Sequence, residues 1–154
     1  MSAFDTLPDD EAQALLLRVC AAPRWAREVV AGRPYGTVEA LQAAASAALD
    51  PTDLDAALAA HPRIGDPTAE GPAAREQAGV ASAPPETLTA LAEGNRAYEE
   101  RFGRVYLVCA EGRSAEDLLV TLRARLANPA DTERAVALGE LAAINRLRLG
   151  RVLR

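Results

Sequence analysis

Only one run in this chain reads as a β-strand, Val105-Tyr106-Leu107-Val108-Cys109, and nothing else is available to pair with it. A lone strand cannot satisfy its backbone in a sheet. Elsewhere apolar residues recur at helical spacing. Leu15, Leu16, Val19 and Cys20 form one such set; Leu88, Leu91, Asn95 and Tyr98 form another; Leu118, Leu119, Leu122 and Leu126 form a third. Composition points the same way: 49% of residues are hydrophobic but only 4% aromatic, and alanine is abundant. The expected fold is all-α, a single compact domain over residues 1–154 of about seven or eight helices, with no substantial sheet. Val105–Cys109 is then an extended segment or a helix end crossing the core.

Prolines and glycines set the helix boundaries. Pro8-Asp9-Asp10-Glu11 opens the first helix, with proline in the first turn and acids at the positive end of the dipole. Pro23–Val30 is a second, carrying the only tryptophan, Trp25; Gly32-Arg33-Pro34-Tyr35-Gly36 is a turn. Thr37 caps a third helix through Leu49, with Leu41, Ala44 and Ala48 on one side, and Asp50-Pro51-Thr52 starts a fourth that runs into His61. The stretch from Pro62 to Pro72, Pro67 and Thr68 included, should have no regular structure. Pro72 suits the first turn of a short helix containing Arg75, Glu76 and Gln77, and Gly79 is its stop. Pro84-Pro85-Glu86 opens a longer helix through Phe102. Ser114-Ala115-Glu116-Asp117 resembles a capping box, Asn128-Pro129 breaks the helix it starts, and the last helix runs from about Asp131 to Val152.

Several function classes are excluded. A net charge of −5 argues against nucleic-acid or anionic-membrane partners. No apolar run approaches membrane-spanning length. Met1-Ser2-Ala3-Phe4-Asp5 lacks the basic and apolar regions of a signal peptide, and Val152-Leu153-Arg154 matches no peroxisomal signal, so a cytoplasmic location is expected. Cys20 and Cys109 read as reduced core residues, and two cysteines with one histidine cannot build a structural zinc site. There is no phosphate loop, no serine-hydrolase elbow and no dinucleotide fingerprint.

Two residues stand out. His61, the only histidine, opens His61-Pro62-Arg63-Ile64-Gly65-Asp66. Imidazole titrates in the physiological range and suits proton transfer. Pro62 should end the preceding helix at His61, placing the ring where the helix dipole favours its protonated form. A surface histidine that merely ends a helix is the plainer alternative. The second residue is Arg148. At 100° per residue it falls about 20° from Leu141, inside an apolar stripe of Ala137, Leu138, Ile144 and Val152, while Arg146 points to solvent. Such an arginine either makes an internal salt bridge, or snorkels at the helix end, or clamps an anionic ligand through its planar donors.

Taken together, His61-Pro62-Arg63-Ile64-Gly65-Asp66, Arg75-Glu76-Gln77-Ala78-Gly79, Phe102-Gly103 and Val108-Cys109-Ala110-Glu111-Gly112-Arg113-Ser114 resemble the OHCU decarboxylase family, the 2-oxo-4-hydroxy-4-carboxy-5-ureidoimidazoline decarboxylases of urate breakdown. Ile144-Asn145-Arg146-Leu147-Arg148-Leu149, Pro23-Arg24-Trp25 and Arg33-Pro34-Tyr35 extend the likeness over most of the chain. The resemblance implies an all-helical fold, no metal and no organic cofactor, and loss of CO2 from OHCU to give (S)-allantoin. It implies His61 and Glu76 as the catalytic pair, and Arg148 as the arginine that meets the substrate's negative charge. It carries Pro62, Ala73, Ala74, Arg75, Glu76 and Gln77 toward the substrate, Gln77 as a contacting amide. It makes Tyr106, Leu107, Val108, Cys109 and Ala110 a wall whose backbone reads the ring and ureido edges. It also implies a homodimer. One position departs from the pattern: Ala73 stands where the family commonly has serine. The alternative function is a non-catalytic helical module that binds a small anionic ligand or a protein partner. His61, Glu76 and Arg148 are all retained, which such a module would not need.

Overall fold

The computed structural model describes residues 2–66 and 69–153. Pro67 and Thr68, part of the expected loop, lie outside the described residues, as do Met1 and Arg154. Among the described residues there are nine α-helices and no strand. They are α1 (Ala3–Thr6), α2 (Asp9–Val19), α3 (Pro23–Ala31), α4 (Val38–Ala47), α5 (Pro51–Leu58), α6 (Gly71–Glu76), α7 (Pro85–Phe102), α8 (Ala115–Arg125) and α9 (Ala130–Leu153). The all-α expectation holds, with the one-turn α1 added before the first expected helix. The described residues group into two compact units, one of residues 1–60 with 141–154 and one of residues 61–140.

In the first unit α3 is the pivot. It packs against α2, α4 and α5. Trp25 is buried there, and its indole N–H donates to the Ala45 carbonyl at 2.8 Å. Arg24 reaches across to the buried Asp53, with Nη2–Oδ2 at 2.6 Å, and to the Ala48 carbonyl, also at 2.6 Å. Thr37 caps α4 as expected, its hydroxyl accepting from the Ala40 N–H at 3.1 Å. The face that α4 buries is Leu41, Gln42 and Ala45 rather than Leu41, Ala44 and Ala48. Gln42 shifts the stripe because its amide donates to the Arg146 carbonyl at 2.7 Å.

The second unit has its core between α7 and α8, with Ile64, Val80, Leu91, Tyr98, Tyr106, Val108, Leu118 and Leu122 buried together. The helices approach closely at Gly94, where an added Cβ would lie 2.5 Å from Leu122 Cδ2. Gly103 closes α7 in the left-handed region at φ 71°, a conformation that glycine adopts without strain. The Val105–Cys109 run is neither helix nor strand, and Tyr106, Leu107, Val108 and Ala110 are buried. The expected capping box at α8 is half realised. Ser114 Oγ accepts from the Asp117 N–H at 3.1 Å, but the Asp117 carboxylate turns to Arg113 Nε at 2.7 Å.

Three further expectations need correction. α6 ends at Glu76 with Gln77 as its C-cap, so it does not include Gln77 and is not stopped by Gly79. The fourth expected helix, α5, ends at Leu58, not His61. Ala60 N–H closes a tighter turn on the Ala57 carbonyl at 3.2 Å, and Pro62 has no N–H to offer Leu58. At the other end of the chain Val152 is exposed, whereas Leu149 is buried. Val152 lies in the final turn of α9, where little of its unit covers it.

Candidate active site

His61 opens a half-buried loop that is held from beneath by side chains of later helices. Gln77 Oε1 accepts from the Gly65 N–H at 3.0 Å, and its Nε2 lies 3.5 Å from the Arg63 carbonyl. Asn95, buried on α7, donates to the Ile64 carbonyl at 2.9 Å. Arg63 forms a fork on Glu99, Nη2–Oε1 2.7 Å and Nε–Oε2 3.0 Å. A proline- and glycine-rich stretch has no helix or sheet ladder to fix it, so side-chain bonds to its backbone supply the order. The Gln77 amide therefore braces the loop that His61 opens.

Glu76, the last residue of α6, is buried. Its carboxylate reaches electrostatically to the Val105–Cys109 segment. Burial raises the Cys109 thiol pKa, and the Glu140, Glu76 and Glu111 carboxylates raise it further. The loop, Glu76 and the segment 106–110 belong to one compact unit. Of the other expected contacts, Pro62 and Ala73 are half-buried, while Ala74 and Arg75 are exposed. An open groove of about 780 Å³ runs beside the loop, lined by Arg63, Asn95, Arg96 and Glu99 among others. A smaller hollow of about 360 Å³ is lined by Ala74, Gln77 and Val80 among others. Neither His61 nor Glu76 lines these two spaces.

Gly79 lies in the turn that follows α6. A Cβ there would sit 2.3 Å from the Arg113 carbonyl oxygen, a backbone atom that cannot swing away. Gly79→Ala is therefore expected to push α6 off the loop that follows the Val105–Cys109 segment. The expected cost is about 1–3 kcal/mol of stability, the usual range for overpacking, together with a lower kcat/KM. Urea unfolding and steady-state kinetics check this; an unchanged unfolding midpoint would refute it.

Arg148 stands in the first unit, half-buried. Its Nη1 donates to the Val19 carbonyl at 2.9 Å, one of the acceptors left over at the end of α2. Leu141, Ile144 and Leu149 of the same helix are buried, so the stem of the arginine runs along an apolar face. In this unit too, Cys20 is buried, and desolvation pushes its thiol to about 11. Such a thiol is unreactive at neutral pH.

The sequence reading missed a buried charged cluster in the second unit. Arg125 and Glu133 are 5% and 0% exposed, so water does not screen them. Arg125 Nε lies 2.9 Å and Nη2 2.5 Å from Glu133 Oε2. Asn128 Nδ2 donates to Oε1 at 3.1 Å, and the Tyr98 hydroxyl donates to Oε2. The guanidinium lies 4.9 Å from the Tyr106 ring centroid and 5.8 Å from that of Tyr98. Burial opposes ionisation of Glu133, but the bonds from Arg125 and Tyr98 outweigh it and hold its carboxyl below the ordinary 4.5. A depressed carboxyl pKa stabilises the fold fully above the unfolded-state value, and that stability is lost as pH falls through the folded-state value. The expected result is a melting temperature that drops on acidification below about pH 4.5, more steeply in the wild type than in Glu133→Gln. Parallel slopes in thermal melts across that range would contradict it.

Taken together, the fold and site define a small all-helical protein with a braced histidine loop and a buried glutamate on the next helix. Residues 5–150 match the family model described as OHCU decarboxylase, and the chain belongs to that family. It is 28% identical over 144 residues to the uric acid degradation bifunctional protein TTL of Arabidopsis thaliana, covering 86% of this chain and 44% of that protein. It is 29% identical over 137 residues to the 2-oxo-4-hydroxy-4-carboxy-5-ureidoimidazoline decarboxylase of Amia calva, covering 82% of this chain and 78% of that protein. The chain thus spans less than half of the bifunctional relative but most of the second. A crystal structure of OHCU decarboxylase in the presence of (S)-allantoin superposes with a TM-score of 0.80 at 25% identity, covering 96% of this chain and 99% of that one. A crystal structure of (S)-allantoin synthase shares the fold, with a TM-score of 0.72 at 20% identity, over 96% of this chain and 52% of that one. Among the described residues no helix is long and apolar enough to cross a membrane.

Proposed function

We propose that this chain decarboxylates OHCU to (S)-allantoin in urate degradation, with His61 and Glu76 moving or steering protons and Arg148 meeting the substrate's negative charge. The observation that carries this reading is the family match from residue 5 to residue 150, which contains both motifs and runs through both compact units. The same continuity supports treating residues 1–154 as one functional domain.

The chemistry suits the side chains. The bond from the ring carbon to its carboxyl breaks and CO2 leaves. The electron pair moves toward the adjacent ring C=N, whose nitrogen takes a proton. The resulting enol returns to a ketone as a proton reaches the neighbouring ring carbon. The substrate supplies its own electron sink, so the protein has to orient, shield and deliver protons to one face. Delivery to one face fixes the handedness of the product. A histidine on a braced loop suits general acid or base work, and a buried carboxylate suits the substrate's hydroxyl and ureido donors. The segment Tyr106–Ala110 offers backbone groups for the ring and ureido edges, Pro62 and Gln77 border the loop, and Ala73 withholds the hydroxyl that serine would bring. A homodimer in the cytoplasm, with no cofactor, fits this reading.

The test is direct. Purified protein is mixed with OHCU, and loss of its absorbance is followed beside the circular dichroism of the allantoin formed. Faster decay with one enantiomer in excess supports the proposal. Decay at the buffer rate to racemic product overturns it.

A further inference from the structure

The Arg125–Glu133 pair has one contact that a purely structural ion pair would not need. Arg125 Nη1 donates to the Leu107 carbonyl at 2.6 Å, in the middle of the Val105–Cys109 segment. The guanidinium fork therefore serves two acceptors at once: a carboxylate on α9 and a backbone carbonyl of Tyr106–Ala110. Arginine suits this because its donors are fixed in one plane, whereas a lysine ammonium is a single point charge. The two charges are also buried. Tyr98 and Tyr106 flank the guanidinium, and Asn128 and the Tyr98 hydroxyl fill the remaining lone pairs of Glu133.

The bond to Leu107 has a consequence one atom further along. The only cis peptide among the described residues is Arg33-Pro34, so the Leu107–Val108 peptide is trans. In a planar trans peptide the C=O and the following N–H point in opposite directions. Fixing the Leu107 carbonyl on Arg125 therefore fixes the direction of the Val108 N–H. A segment outside any helix or strand has no ladder to set its peptide planes. Here a buried arginine does so.

We propose that Arg125, seated by Glu133, is a positioning residue for the substrate-facing segment 106–110, acting through the Leu107 carbonyl. The inference rests on reading that segment as the wall against the substrate. Arg125 touches no substrate atom. It sets the plane of the peptide groups that do.

A graded series of variants tests it. Arg125→Lys keeps the charge beside Glu133 but cannot serve both acceptors. KM for OHCU should rise about tenfold, the scale of one hydrogen bond to a charged group, with kcat within about threefold of wild type. Amide hydrogen exchange at residues 107–109 should quicken. Glu133→Gln keeps the shape of the carboxylate and withdraws its charge, so Arg125 is seated less firmly and KM should rise about two- to threefold. Tyr98→Phe removes one bond to Glu133 and leaves the Leu107 bond intact; it should lose stability yet keep the wild-type KM and exchange. A merely structural role predicts instead that KM follows stability through all three. Unchanged KM and exchange in Arg125→Lys overturn the inference, as does a Tyr98→Phe protein shifted as far as Arg125→Lys. Should Arg125→Lys not fold, Glu133→Gln decides alone, and an unchanged KM with unchanged exchange overturns the inference. A wild type that leaves OHCU untouched sinks the proposed function and this inference with it. An active wild type beside an unchanged Arg125→Lys sinks the inference only.

Discussion

Replacing His61 by alanine is expected to lower kcat on OHCU by about 10²–10⁴-fold, the usual contribution of a positioned general acid or base, while the melting temperature stays close to wild type. The reason lies in how the loop is held. Its backbone is fixed at Gly65 by Gln77 and at Ile64 by Asn95, and Arg63 is forked onto Glu99. All of these holds survive loss of the imidazole. His61 is only half-buried, so little apolar surface goes with it. Activity and stability should therefore separate cleanly. Circular dichroism melts and the OHCU assay on the same preparation give both numbers. A His61→Ala protein that matches the wild type in rate and in enantiomeric purity would remove the histidine from the mechanism. A protein that loses fold and activity together would mean that the loop depends on the imidazole after all.

The helices were legible because their signals are local. Apolar spacing, the Thr37 cap, Pro62 and Gly103 act within a turn or two of where they stand. The errors lie in a local detail at the end of α5 and where a second element decides. α5 ends three residues before His61 through a local tightening that proline spacing does not register. α4 rotates its buried face toward Gln42 because a carbonyl of α9 is there to receive the amide. That Gln77 also braces the loop was not legible either, because the Gly65 N–H it accepts from lies twelve residues away. The charged cluster is the more instructive omission. By the angular test that singled out Arg148, Arg125 lies about 20° from Leu118 and about 60° from Leu122, inside the apolar face of α8. That test marks Arg125 as buried and in need of an anion. What it cannot give is the partner. Glu133 lies beyond the Asn128-Pro129 break, and only the turn between α8 and α9 brings it round.

Glu133→Ala carries the largest expected loss of stability, about 3–5 kcal/mol, the range for breaking a buried pair by removing one partner. Three terms add. The Arg125 guanidinium, 5% exposed, keeps its charge and loses its counter-ion. The Tyr98 hydroxyl and the Asn128 amide lose the acceptor they share. Glu133 is 0% exposed, so removing its carboxylate leaves a buried space among groups that lose their contacts. Glu133→Gln should cost less, because the amide oxygen still accepts from Arg125 and Tyr98. Arg125→Met in the Glu133→Ala background should recover part of the loss, since it removes the unpaired charge, but not all of it. The Leu107 carbonyl and the Tyr98 hydroxyl would still lack partners in that double variant. Urea unfolding of the three variants gives the order directly: Glu133→Ala least stable, the double variant above it, Glu133→Gln above both. If Arg125→Met instead adds its own full cost to that of Glu133→Ala, the two side chains do not act as a pair. The buried charge of Arg125 would then be held by the Leu107 carbonyl and the flanking rings without Glu133.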